Sequence, residues 1–119
     1  MATNVQRGHI YDVDWSPSRG SEQSGVRPSL VIQNNIGNAV AAYPITIVLA
    51  ISSKLKGYPA MVRVEPSGQN GLDAPSEINT GQVVTVDKGR PRTHRGALSE
   101  TDMAKVEGKL AYMLGLKAL

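Results

Sequence analysis

Hydrophobic and polar positions alternate early in the chain. His9, Tyr11, Val13 and Trp15 fall on one side and Ile10, Asp12 and Asp14 on the other, the period of a half-buried strand with its apolar face on the first set. Ser16 to Gly20 breaks the pattern, and the polar run continues to Gly25. Pro28 confines Arg27 to extended geometry, and Ser29 to Gln33 then reads as a short apolar strand. Asn34, Asn35, Gly37 and Asn38 predict a turn. Ile45 to Ile51 (ITIVLAI) is almost entirely apolar and rich in β-branched residues, which predicts a central strand covered on both faces. It ends in Ser52 and Ser53, followed by a basic, glycine-containing segment from Lys54 to Pro59. Met61 to Glu65 predicts another alternating strand, Pro66 to Pro75 a loop, Gln82 to Val86 a further strand, and Asp87 to Gly96 a basic loop.

Only the C-terminal part has a helical period. Ser99-Glu100-Thr101-Asp102 has the form of a capping box in which Ser99 accepts from the Asp102 amide. Met103, Val106, Leu110 and Met113 follow at spacings of three and four and make one apolar face. Gly108 costs that helix ~1 kcal/mol relative to alanine, and Gly115 is placed to end it. The predicted fold is mainly β with a C-terminal helix, a strongly bent antiparallel sheet or partial barrel. With 119 residues, 40% of them hydrophobic, the chain is expected to form one domain over residues 1–119 around one modest core. A core of that size commonly leaves apolar surface to be covered by dimerisation.

Composition narrows the chemistry. Cysteine is absent, which excludes disulfides, thiolate metal sites and cysteine nucleophiles and suits a reducing cytoplasm. The N-terminus has no apolar core like that of a signal peptide. The longest apolar stretch, Ala39 to Ile51, is interrupted by Pro44 and Thr46 and is shorter than the roughly 20 residues that span a bilayer. A soluble, cytoplasmic protein is expected. The net charge of +3 and pI of about 9.4 fit a phosphate-rich partner as well as they fit none.

The chain has no phosphate-cradling glycine loop, no HExxH and no GxSxG. His9 and His94 lie far apart in sequence. His9, on the apolar face of the first strand, reads as structural, and His94, inside the basic loop, as solvated or phosphate-facing. Two places remain. In the polar loop from Gly20 to Pro28, Glu22, Gln23 and Arg27 at the mouth of a strand have the groups to bind RNA base edges and phosphate. Ser52 and Ser53 put hydroxyls at the end of a rigid, buried strand. By spacing alone, a solvated turn and a strand end capped by small polar groups are the simpler readings of both.

A family resemblance shifts that balance. Arg7-Gly8-His9-Ile10-Tyr11 resembles the RGDIY or RGDVY opening of the MazF/PemK/Kid toxins. Gly20-Ser21-Glu22-Gln23 with Arg27-Pro28 is similar to their GSEQxGxRP loop, and Leu30 to Asn34 with Ile36-Gly37-Asn38 to the segment that follows it. Lys56-Gly57-Tyr58-Pro59, the stretch from Gln82 to Asp87 and the terminal helix have counterparts too, so the likeness runs from Arg7 to about Leu116.

The resemblance implies a homodimeric, SH3-like small β-barrel of the MazF/CcdB/Kid toxin type. It implies an endoribonuclease that cuts single-stranded RNA at short sequences, with no metal and no cofactor. The 2′-hydroxyl attacks the adjacent phosphorus and leaves a 2′,3′-cyclic phosphate and a 5′-hydroxyl. The family's arginine before proline falls on Arg27, and the Thr or Ser closing the central strand on Ser52. Arginine stays protonated in proteins, so Arg27 would stabilise charge on the phosphorane-like transition state and Ser52 would hold the phosphate. Glu22 is placed either to take the 2′-hydroxyl proton or to bind a base edge. Ser21, Gln23, Asn34, Ser53, Lys54 and Lys56 are the expected RNA-binding residues. The expected partner besides RNA is an antitoxin whose acidic, disordered segment folds on the toxin, with Lys54, Lys56, Lys88, Arg90 and Arg92 as cations to meet it.

There are departures from the family pattern. His9 stands where an acidic residue is usual. Gly81 and Val84 stand where relatives often carry an acidic residue before the glutamine and a basic one two positions after it, so catalysis through that segment is not expected here. A non-catalytic toxin of the same fold that inhibits DNA gyrase, like CcdB, and a degenerate RNA-binding barrel are the alternatives. The loop with Glu22, Gln23 and Arg27, which CcdB toxins lack, favours the nuclease.

Overall fold

Strand β3 (Ile45–Ser52) is central because its sequence has no face to offer to water. Val48, Leu49, Ala50 and Ile51 are all fully buried. Leu49 and Ile51 pack with Ile10, Leu30 and Ile78 into one core, which also takes in Val106 of the C-terminal helix. Val48 packs with Val5, Tyr11, Val31 and Val86 into a second. Burying each such aliphatic side chain contributes about 1.5–3 kcal/mol.

The computed structural model describes residues 5–15 and 25–116. Around β3 stand β1 (His9–Asp14), β2 (Val26–Val31), β4 (Met61–Val64), β5 (Ser76–Asp87) and β6 (Pro91–Ala97), with helices α1 (Asn35–Ala39) and α2 (Glu100–Met113). The strands form one antiparallel sheet in the order β4-β5-β3-β2-β1-β6.

A long bulge bends the sheet. β5 pairs with β3 as far as Leu49↔Val83 and resumes at Ile51↔Ile78, so the four residues Asn79 to Gln82 on β5 are set against Ala50 alone on β3. Thr80 anchors them, its amide and hydroxyl both donating to the Ala60 carbonyl at 3.2 and 2.6 Å. On the N-terminal side of the bulge, β5 pairs with β4 on one side while Ile78 and Glu77 still pair with β3 on the other. The edges β4 and β6 are bridged by the connection 65–75, whose Gln69 carbonyl accepts from the Ala97 amide at 2.9 Å. Asn70, almost fully buried, holds that connection in shape by accepting from the Ser67 and Leu72 amides and donating to the Glu65 carbonyl. The result is the expected mainly β, barrel-like fold with a C-terminal helix, with the gap between the sheet edges spanned by a loop.

Several elements differ from the sequence expectation. The predicted turn after β2 is the one-turn helix α1, capped by the Asn34 side chain on the Gly37 amide at 2.9 Å. Buried Asn38 locks α1 to β3, accepting from Thr46 at 2.8 Å and from Gln33 at 3.0 Å. The predicted basic loop contains β6, a polar strand paired only with β1, and Pro91 is tolerated because it begins the strand at a sheet edge. β2 and β5 begin earlier than expected, at Val26 and Ser76. Ile10, on the nominally polar side of β1, is fully buried because both sides of that strand meet core.

Helix α2 follows its sequence signals. Ser99 accepts from the Asp102 amide at 3.1 Å, and Met103, Val106 and Leu110 pack on the core while Met113 stays exposed. Gly115, at φ 73°, ends it in a Schellman arrangement with Leu116 N–H on the Ala111 carbonyl and Gly115 N–H on the Tyr112 carbonyl.

Candidate functional site

The β2–β3 ladder sets the site. Ser29↔Ala50, Leu30↔Leu49 and Val31↔Val48 are opposite one another. Carrying that register two residues towards the strand ends brings Arg27 opposite Ser52. The two-residue period places both on the face of Ser29 and Ala50. Ser29 is fully buried on that face, and its hydroxyl accepts from the Trp15 indole at 3.1 Å. Arg27 and Ser52 are half-buried at the open end of the ladder. The Ser52 hydroxyl accepts from the Lys54 amide at 3.1 Å, which fixes the direction in which the chain leaves the strand.

Ser53 has the opposite parity, that of Pro28 and Ile51, and lines a cavity of about 130 Å³ that Arg27 also borders. Apolar Ile51 and Leu72 meet there with Asp73 and Arg95. Arg95 donates to Asp12 at 2.9 Å and to Asp73 at 3.0 Å, and the hydrogen bonds to Asp73 and Asp12 push its pKa up. Its charge is spent within the wall of the cavity.

From Ser53 to Pro59 every residue is exposed, Lys54 and Lys56 among them. Lys56 Nζ stands 6.0 Å from the centre of the Tyr58 ring. Beneath this loop is Glu77, a residue the sequence reading missed. Its side chain is only 6% exposed, yet both oxygens are satisfied, accepting from the Lys56 amide at 2.8 Å and the Gly57 amide at 2.9 Å. Glu77 lies opposite Ser52 on one side and Arg63 on the other, and Arg63 pairs with Glu65 at 3.0 Å instead.

Of the other expected site residues, Ser21, Glu22 and Gln23 lie outside the described residues. The Asn34 side-chain oxygen is occupied as the α1 cap. The two histidines, distant in sequence, meet across β1 and β6 with His9 Nδ1 2.9 Å from His94 Nε2. His94 is exposed, as a solvated or phosphate-facing residue would be, but it lies in strand β6 and against the Tyr11 ring, not in a loop. Burial, and then the neighbouring His94, lower the His9 pKa.

Comparison with known proteins identifies the family. Residues 6–114 match the PemK-like, MazF-like toxins of type II toxin–antitoxin systems. The chain belongs to that family. It is 40% identical over 114 residues to the endoribonuclease MazF of Staphylococcus epidermidis, covering 94% of this chain and 92% of the relative. It superposes on the crystal structure of MazF from Deinococcus radiodurans with a TM-score of 0.77 at 26% identity, covering 95% and 98% of the two chains. A mycobacterial endoribonuclease in complex with its cognate antitoxin shares the fold, with a TM-score of 0.78 at 23% identity over 97% and 99% of the chains.

As a MazF-like toxin the chain keeps its departures in structurally defined places. Gly81 is on the β5 bulge, where an added Cβ would meet Asn79 Oδ1 at 3.2 Å and the Ala60 methyl at 3.4 Å. Val84 packs against the second core. Three of the cations expected to meet an antitoxin have partners within the toxin, and Arg92 stands 3.8 Å from the Asp14 carboxylate. Lys88 Nζ donates to the Gly37 and Val40 carbonyls at 2.9 and 2.8 Å. Arg90 donates to the Asp14 carbonyl at 2.7 Å.

Proposed function

We propose that this MazF-like toxin is an endoribonuclease that cuts single-stranded RNA at short sequences without a metal ion, and that an antitoxin silences it. The observation that carries this reading is the β2–β3 register, which ends at Ser29↔Ala50 and, carried two residues further, aligns Arg27 with Ser52, next to exposed Lys54 and Lys56 in sequence. The 2′-oxygen attacks the adjacent phosphorus, the bond to the 5′-oxygen breaks, and a 2′,3′-cyclic phosphate and a 5′-hydroxyl result. Negative charge gathers on the nonbridging and leaving oxygens. The guanidinium of Arg27, on a rigid strand, stabilises it by charge-assisted hydrogen bonds without having to reorganise. Ser52 donates to a nonbridging oxygen and keeps the phosphorus in line. Glu22 either accepts the 2′-hydroxyl proton or binds a base edge; the leaving oxygen takes up a proton from an acid or water.

Ser21, Gln23, Ser53, Lys54 and Lys56 bind the substrate in this reading, and Asn34 contributes through the backbone it caps. The toxin works in the cytoplasm as a homodimer. An acidic antitoxin segment occupies the same cationic surface, chiefly Lys54, Lys56 and Arg92. The family relationship supports this partner, as does the antitoxin complex of the mycobacterial endoribonuclease.

The test is to incubate the purified protein with a long single-stranded RNA in excess EDTA and map the ends. Cuts whose downstream fragments accept label from polynucleotide kinase without prior phosphatase are expected. Intact RNA would refute the nuclease reading, and fragments labelled only after phosphatase would refute the cleavage chemistry.

A further inference from the structure

We infer that Glu77 is a positioning residue that holds the 53–59 loop in the shape that engages RNA beside Arg27 and Ser52; this rests on the ribonuclease reading above. A buried carboxylate is costly unless it is fully hydrogen-bonded or paired with a cation. Glu77 has a potential cation across the β4–β5 ladder, Arg63, but that side chain pairs with Glu65. Both Glu77 oxygens go instead to the consecutive amides of Lys56 and Gly57. Among the described residues the carboxylate therefore bonds only to backbone of the loop.

The loop so held has few anchors of its own. All of its residues are exposed, and Gly57 sits at φ 68°, in the left-handed region that glycine adopts without strain. It presents what a single-stranded RNA needs, the Lys54 and Lys56 ammoniums for phosphate and the Tyr58 ring, 58% exposed, for stacking on a base. Because Glu77 is opposite Ser52 in the β3–β5 ladder, the clamp ties that surface to the strand carrying the hydroxyl. Without it, the loop samples many shapes, and apparent affinity falls with the fraction still competent to bind.

The experiment compares the parent with Glu77→Ala and Glu77→Gln on an oligonucleotide containing the parent's mapped cut site. Amide exchange at Lys56 and Gly57 is followed by NMR in the same proteins. Glu77→Ala is expected to raise KM about tenfold, as for a competent fraction of about one tenth, to leave kcat within about threefold, and to add cuts at sequences the parent ignores. Glu77→Gln keeps one acceptor and is expected to fall between. The Lys56 and Gly57 amides exchange slowly in the parent and quickly in Glu77→Ala. If the parent cleaves and both variants keep its KM and cut-site preference, the inference is wrong even though the ribonuclease reading stands. If the parent does not cleave, the ribonuclease reading fails and the role of Glu77 in RNA binding falls with it. Rapid exchange at both amides in the parent would remove the clamp itself.

Discussion

A Cβ placed on Gly71 would collide with the carbonyl oxygen of Arg95, and Gly71 has φ 67°. Two constraints meet at this residue. The connection 65–75 needs a left-handed turn there, and it needs backbone against backbone to reach β6 and cover the gap between the sheet edges. Neither the loop nor the edge strand can yield without losing the Gln69–Ala97 hydrogen bond.

Gly71→Ala should therefore destabilise the toxin by about 3 kcal/mol or more, since it combines a strained φ with a backbone clash. Gly68→Ala, in the same connection but with nothing within 4 Å of the added methyl, should stay close to the parent. Urea unfolding of the two variants checks this, and similar midpoints for both would contradict the packing described.

The two serines at the end of β3 should separate by face. Ser52→Ala is expected to cut the cleavage rate strongly, and Ser53→Ala less, because only Ser52 shares the parity of Arg27. Single-turnover cleavage at saturating enzyme is the measurement. A larger defect in Ser53→Ala would move the chemistry to the cavity side of the sheet.

The His9–His94 contact gives a pH dependence. Burial and His94 hold the His9 pKa below its usual 6.5. The folded chain thus binds fewer protons at His9 than the unfolded chain in the range below pH 6.5. The stabilisation is present above that pH and is lost as pH falls through the lowered folded-state value. Thermal melts of the parent should drop between pH 7 and pH 5 by more than those of His9→Gln. Parallel curves would show that the pair does not matter to folding.

Much of this fold is legible in the residues, and the reason is burial. β3 is covered on both faces, so its sequence had to be continuously apolar, and α2 announces itself through Ser99, the spacing of Val106 and Leu110, and Gly115. β6 is an edge strand with polar, exposed positions, so no hydrophobic period marks it. Helix α1 is held by Asn38 meeting Thr46, a contact that exists only once β3 is in place. Glu77 was hidden for a similar reason, since its acceptor role depends on a loop 20 and 21 residues earlier in the chain. Arg27 and Ser52 stood out through the family resemblance, and the strand register supplies a physical reason for the pairing.

In the proposed mechanism the charge of Arg27 stabilises the transition state for RNA cleavage. The most direct measurement is the single-turnover cleavage rate of Arg27→Ala on an RNA that the parent cuts, with circular dichroism and the unfolding midpoint followed on the same samples. Losing one preorganised electrostatic contact of this kind costs on the order of 10²–10³-fold in rate. A loss of that size is expected, with the fold and its stability nearly unchanged. Cleavage by the variant within a few-fold of the parent, from a protein that is equally well folded, would contradict it.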